Sequence, residues 1–187
     1  MADIIQWNVC GLRANFAELR LLCNQYNLQI VAVQECQLRK DKIINLSGFS
    51  GITKRSPGDN ATGGVSLHIN KSVLFREIKL TDLQAVAIRV STKKTLTVCN
   101  VYLPPSLHVN FSDLEHLIEQ LPAPFVLIGD FNAHSPLLGD VRLDSRGQMV
   151  EKLLNDHNLC LLNTGEPTYL FLMYLSVTHL LHLNLTG

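Results

Sequence analysis

Four short apolar stretches of this 187-residue chain run into polar side chains that a hydrophobic core does not require. "DIIQWNV" carries Asn8 after Trp7, and "LQIVAVQE" ends on Glu35. "TLTVCNVYLPP" carries Tyr102 just ahead of Pro104 and Pro105, and "PFVLIGDFNAH" passes through Asp130 and Asn132. A hard cation such as Mg²⁺ takes one or two carboxylates and keeps several waters. Phosphoryl chemistry asks for that cation, a carboxylate to orient or deprotonate water, and neutral donors around the phosphate. Glu35, Asp130, Asn8, Asn132 and Tyr102 match those types. Each also has an ordinary explanation. A glutamate at a strand end is commonly solvated, and Asp-x-Asn after a strand commonly forms an Asx turn. Asn8 suits a local turn, and Tyr102 suits a strand. Residue types and spacing therefore lead to a candidate polar cleft and stop there.

The elements that must position these residues follow from periodicity. Asp3–Val9 reads as a short strand, and "NFAELRLLCNQY" as a helix capped by Asn15 with Glu18 three residues on. Leu19, Leu22, Cys23 and Tyr26 line one face of that helix. Ile30–Val33 is an uninterrupted buried strand. Loops are expected through "SPGDNATGG", after which "GVSLHI" and "AVAIRV" alternate as half-buried strands. "SDLEHLIEQL" reads as a helix with Ser112 and Glu115 as a capping box and Leu114, Leu117, Ile118 and Leu121 inward. "DSRGQMVEKLLNDH" reads as a further helix, with Met149, Val150, Leu153 and Leu154 inward, and "LCLLN" as a last clear strand. Several strands follow one another with no helix between, which favours mixed sheets over a pure doubly wound fold. No repeat or linker divides the chain, so one domain is expected.

The totals agree. Hydrophobic residues make up 47% and charged residues 17%, a globular composition. The 16 basic and 16 acidic residues give a net charge of +0, which neither requires nor excludes a nucleic-acid partner. The five cysteines lack Cys-x-x-Cys spacing and mostly sit in apolar runs, so small core residues in a reducing compartment are expected rather than disulfides or zinc ligands. No signal peptide is read at the N-terminus, and an intracellular location, nucleus or cytoplasm, is expected.

"WNVCGLRAN", "VAVQE", "GGVSLHI", "NVYLPP", "GDFNAH" and "DSRG…LLNTGEPTYL" stand in the order seen in the endonuclease/exonuclease/phosphatase superfamily. The chain most resembles the apurinic-type endonuclease domain of jockey-like non-LTR retrotransposons, over residues 3 to 170. The resemblance implies an α/β fold of the α+β kind: a four-layer α/β/β/α sandwich of two packed mixed sheets, with the site at one end. It implies Mg²⁺, or Mn²⁺ in its place, as cofactor, DNA as partner, no membrane, and a monomer. Position by position, Glu35 takes the place of the principal metal carboxylate, and Asn8 supports metal and phosphate. Asp130 orients or deprotonates the attacking water, Asn132 holds that water or the phosphate, and Tyr102 contacts the phosphate. Thr168 lies where relatives have a threonine near the substrate groove. His134 belongs to a loop form common in these domains, with a groove or packing role. The implied activity is nicking of DNA to leave a 3′-hydroxyl from which reverse transcription is primed. Related phosphatases, sphingomyelinases and deadenylases share the fold, but their distinguishing loops are not apparent.

Two departures stand out. Cys10 occupies the place where cellular repair enzymes have an aspartate. The family's later Ile-Asp-Leu/Tyr and Ser-Asp-His strands, which supply a phosphate-binding histidine, have no counterpart after Tyr169, and no aspartate follows Asp156. Residues 1–170 are accordingly read as an incomplete endonuclease/exonuclease/phosphatase domain lacking its last strands, and 171–187 as an aberrant apolar tail. A shifted reading frame is the favoured account of that tail, ahead of an alternative strand and a membrane helix. A catalytically impaired remnant with weak nucleic-acid binding stands as the alternative to an active endonuclease.

Overall fold

The structure, a computed structural model, describes residues 3–39, 44–56, 62–81, 83–91, 95–162 and 180–183. Within it the strand Ile30–Gln34 (β2) is buried along its whole length, and its alternate residues serve different cores. Ile30 and Ala32 join one cluster, and Val31 and Val33 join another. That is the signature of a strand covered on both faces.

β1 (Ile4–Asn8) pairs parallel with β2. The crossover between them is α1 (Phe16–Tyr26), as a parallel pair requires. β3 (Phe49–Lys54) and β4 (Val65–Asn70) complete a four-stranded sheet of order β1-β2-β4-β3. The second sheet contains β5 (Leu74–Ile78), β6 (Gln84–Ser91), β7 (Thr95–Tyr102), β8 (Phe125–Asp130), β9 (Leu159–Leu161) and β10 (Leu180–Leu183). Its order is β5-β6-β7-β8-β10-β9. β7 and β8 are also parallel, joined through α2 (Phe111–Glu119). α3 (Ser145–Asp156) follows β8.

Three hydrophobic clusters define the layers. Leu67 and Ile69 of the first sheet meet Ile88, Val98 and Ile128 of the second. Leu19 and Cys23 of α1 pack on Val31 and Val33. Leu114, Leu117 and Ile118 of α2, with Val150, Leu153 and Leu154 of α3, pack on Cys99, Val101 and Leu127. The result is the expected four-layer α/β/β/α sandwich of two mixed sheets. Among the described residues no helix is long and apolar enough to cross a membrane.

Several local expectations change. "GVSLHI" is buried at Val65–Ile69 rather than half-buried, because β4 is an inner strand and Ser66 and His68 are covered on its other face. β3 and β5 fall outside the strands read from sequence. Both are edge strands with weak burial alternation, and β5 carries Arg76 and Glu77, as solvent-facing edges commonly do. Asn15 does not cap α1 with its side chain, which instead donates to the Val9 carbonyl at 2.6 Å. Tyr26 is exposed, not part of the buried face. The α2 cap is Asn110, whose N–H donates to Asp113 Oδ2 at 2.7 Å, so the capping box precedes Ser112 and Glu115. Leu180–Leu183 of the tail pairs antiparallel with both β8 and β9.

Candidate active site

A parallel pair points both its C-terminal ends the same way, and this chain has two such pairs packed face to face. Asn8 is in register with Gln34, one residue before Glu35, and Tyr102 is in register with Asp130. Strands β1 and β2 lie against β8 and β7 across the sandwich. Four polar strand ends thus converge at one end of the molecule, the usual place for a site on strands with helical crossovers.

There the side chains bond directly. Asn8 Nδ2 donates to Glu35 Oε1 at 3.0 Å and to Asp130 Oδ2 at 2.7 Å. The Tyr102 hydroxyl donates to Glu35 Oε1 at 3.0 Å. Asn132 N–H donates to Asp130 Oδ1 at 3.0 Å, and Asn132 Nδ2 donates to the Leu103 carbonyl at 3.0 Å. The Asx turn and the polar cleft are therefore both present: Asp130 Oδ1 makes the turn while Oδ2 faces Asn8. Sequence reading brought Asn8, Glu35, Tyr102, Asp130 and Asn132 forward, and the structure brings all five together. Thr168 lies outside the described residues. His134 Nδ1 instead donates to Asp140 Oδ2 at 2.8 Å, on the loop beyond the corner.

The backbone here is held in uncommon conformations. Cys10, Glu35, Gln37 and Asn132 have φ of 44°, 51°, 48° and 47°. Left-handed non-glycine residues cost on the order of 1–2 kcal/mol each and persist where surrounding structure fixes them. The fixing bonds are visible: Gly11 N–H to the Glu35 carbonyl (2.8 Å), Leu12 N–H to that of Cys36 (3.1 Å), and Gln37 N–H to that of Gly63 (2.8 Å). Gly129, just before Asp130, has φ of 150°, and a Cβ there would lie 1.9 Å from the Val101 carbonyl oxygen. Only glycine lets β8 approach β7 closely enough to set Asp130 beside Tyr102.

Electrostatics follow from this crowding. Burial raises the Asp130 carboxyl above the ordinary carboxylate value, and the nearby Glu35 adds to the rise. The Asn132 N–H, the Asn8 amide and the charge of Arg146 pull it back. Burial, then Glu35, pushes the Tyr102 phenol up, so it stays a neutral donor. Two carboxylates sharing one amide hydrogen-bond donor suit a hard cation that needs few protein ligands and keeps its waters. Glu35, Asp130 and the Asn8 carboxamide oxygen, which also accepts from the Cys10 N–H at 3.2 Å, are the oxygens that could hold it. Among the described residues no group of three or more His, Cys, Asp or Glu could hold a metal, so any metal would rest on this smaller set.

Sequence reading did not bring forward Gln37, whose Nε2 lies 3.5 Å from Glu35 Oε2 and 3.9 Å from Cys10 Sγ. Its only local signal is the spacing within "QECQ". It also assigned no role to Arg146 of "DSRG", nor to the buried amides Gln6, Gln34 and Asn100 below the corner.

Comparison with known proteins agrees with this geometry. A family model described as endonuclease-reverse transcriptase matches residues 96–174. The RNA-directed DNA polymerase from mobile element jockey of Drosophila melanogaster is 28% identical over 167 residues. That match covers 87% of this chain, which spans 18% of the length of that protein. Among solved structures, the endonuclease domain of TRAS1, a telomere-specific non-LTR retrotransposon, superposes with a TM-score of 0.78 at 20% identity, covering 99% of this chain and 86% of that one. The 3′ phosphatase NExo from Neisseria, bound to product DNA hairpin, superposes with a TM-score of 0.69 at 19% identity, covering 97% and 86%. The chain has the nuclease-like fold of retrotransposon endonuclease domains, and the resemblance read from its motifs holds.

Proposed function

We propose that this chain is a metal-dependent endonuclease that nicks DNA, and that residues 1–170 form an incomplete endonuclease domain. The observation that carries this reading is the single Asn8 amide bonded to both Glu35 and Asp130, with the Tyr102 hydroxyl on the same Glu35 oxygen. Glu35, with Asp130 and Asn8, would hold Mg²⁺ (or Mn²⁺), which when bound would supply Lewis-acid stabilisation of the charge that builds on the phosphate. The protein's own groups do the rest. Asp130 Oδ2 orients a water and takes its proton as the water oxygen attacks phosphorus. The bond to the 3′-oxygen breaks, and that oxygen takes a proton from solvent water, leaving a 3′-hydroxyl and a 5′-phosphate. Tyr102, kept protonated, donates to a phosphate oxygen, and the Asn132 carboxamide fixes the approach of water or phosphate from the closed side of its turn. DNA is the partner, and the chain works as a monomer.

A second reading, a catalytically impaired chain with weak nucleic-acid binding, draws on two observations. Cys10 stands at the corner in place of an acid, and among the described residues no histidine hydrogen-bonds to Glu35 or Asp130. Nicking of supercoiled plasmid in Mg²⁺ or Mn²⁺ separates the two. The proposal expects wild-type nicking to exceed that of Asp130→Asn by a factor on the order of 10² to 10³. Equal rates would leave the impaired reading in its place.

A further inference from the structure

Arg146, on the first turn of α3, makes no ion pair with a carboxylate among the described residues, although its charge is felt at Asp130. It is spent on main-chain carbonyls. Nη1 donates to Leu103 O at 2.9 Å and to Phe131 O at 3.3 Å. Nη2 donates to Pro104 O at 2.7 Å, to Pro105 O at 3.5 Å, and to Leu107 O. These carbonyls belong to the two segments that leave the corner, one directly after Tyr102 and the other between Asp130 and Asn132. The first contains Pro104 and Pro105, which have no N–H to donate and cannot extend a strand ladder. Something else must hold that segment in place.

The node of the arrangement is Leu103. Its carbonyl accepts from both Arg146 Nη1 and Asn132 Nδ2, and its N–H donates to the Asp130 carbonyl at 2.9 Å. The start of α3 is equally fixed. Asp144 caps α3 by accepting from Gly147 N–H at 2.7 Å and also accepts from His134 N–H at 3.1 Å. A Cβ on Gly147 would lie 1.9 Å from the His134 carbonyl oxygen, so the helix end sits hard against the loop that follows Asn132.

We infer that Arg146 is a positioning residue for the nuclease corner: its guanidinium sets the Tyr102 segment and the Asp130–Asn132 turn in register with each other. The inference rests on the endonuclease reading above. A planar fork with five N–H donors can serve several carbonyls at once, whereas a lysine ammonium keeps the charge but cannot reproduce the fork. Small misplacements of reacting groups cost up to about 100-fold in rate.

The test is Arg146→Lys beside Arg146→Ala and Asp130→Asn, in the full chain. Arg146→Lys should keep KM for plasmid DNA while kcat falls on the order of 10- to 100-fold. Millimolar guanidinium ion should restore part of the Arg146→Ala rate and none of the Asp130→Asn rate. Hydrogen exchange at the Leu103 and Asn132 amides should speed up in Arg146→Lys, with β1 and β2 amides unchanged. Wild-type kcat in Arg146→Lys, or a purely thermal loss with no kcat change per folded molecule, would overturn the inference. A wild-type chain no more active than Asp130→Asn would sink the endonuclease reading instead. The exchange rates then decide Arg146 alone, unchanged rates overturning its role and faster rates supporting it.

Discussion

Two polar clusters ride on the same strands and behave in opposite ways. Below the corner, Gln6 Nε2 donates to Gln34 Oε1 at 2.9 Å, and Gln34 Nε2 donates across the sandwich to Asn100 Oδ1. Asn100 Nδ2 donates onward to the Val33 and Ser66 carbonyls at 3.1 and 2.9 Å. These side chains are neutral and sealed, with Gln34 and Asn100 showing no exposure. Asn8, two residues on from Gln6, and Glu35, one on from Gln34, are only half-buried. Here the acceptors are carboxylates, and one amide is divided between two of them. The sealed network matches each donor to an acceptor and so locks the two sheets together. The open corner concentrates negative charge on that rigid base, and on the endonuclease reading proposed above a divalent cation would balance it. Rigidity and reactivity are separated by one or two residues along each strand.

Making the corner chemically like the network is the strongest way to break this contrast. Asp130→Asn or Glu35→Gln keeps shape but removes charge. Nicking should fall on the order of 10² to 10³, while thermal melting in the absence of metal should hold steady or rise as like-charge repulsion is relieved. Making the network apolar is the next largest change. Asn100→Leu strands the Val33 and Ser66 carbonyls and the Gln34 amide. A loss of about 3 kcal/mol in urea-unfolding stability is expected, since buried unpaired polar groups cost about 1–3 kcal/mol each.

The sealed side has its own pH signature. His68, buried beside Ser66 with Nε2 3.1 Å from its hydroxyl, is held down to about 4 by burial, against an ordinary 6.5. The unfolded chain therefore binds the proton first. Stability is complete above pH 6.5 and is lost as pH falls through the window from 6.5 to about 4, by up to about 3 kcal/mol at 1.36 kcal/mol per unit. Urea midpoints across that window should fall for wild type and flatten for His68→Gln. The smallest effect is expected at Tyr102→Phe, which removes one neutral donor from the corner. A rate loss of about 5-fold, near 1 kcal/mol, is expected from a single hydrogen bond in the plasmid assay.

Much of the corner was legible because apolar runs such as Ile30–Val33 and Phe125–Ile128 end on residues a core does not need. Burial on both faces of β4 was not legible, because Ser66 and His68 look like the solvent side of an alternating strand until the outer layer covers them. The helix caps were offered by local sequence more than once. Asn15 was drawn off by the Val9 carbonyl, and Asn110 rather than Ser112 took the start of α2. The role of Arg146 had no local signal, since its partners lie 15 to 43 residues away along the chain.

The sequence by itself determined the kinds of groups at the strand ends and the order of the motifs around them. Hydrophobic periodicity reports where a backbone enters and leaves a core. It could not determine that one amide of Asn8 would serve carboxylates 27 and 122 residues distant. That depended on two parallel crossovers aligning the strand ends and on two sheets packing face to face to bring them within hydrogen-bond reach. Hydrogen bonding acts over about 3 Å, so only the assembled sandwich could decide which of these groups meet.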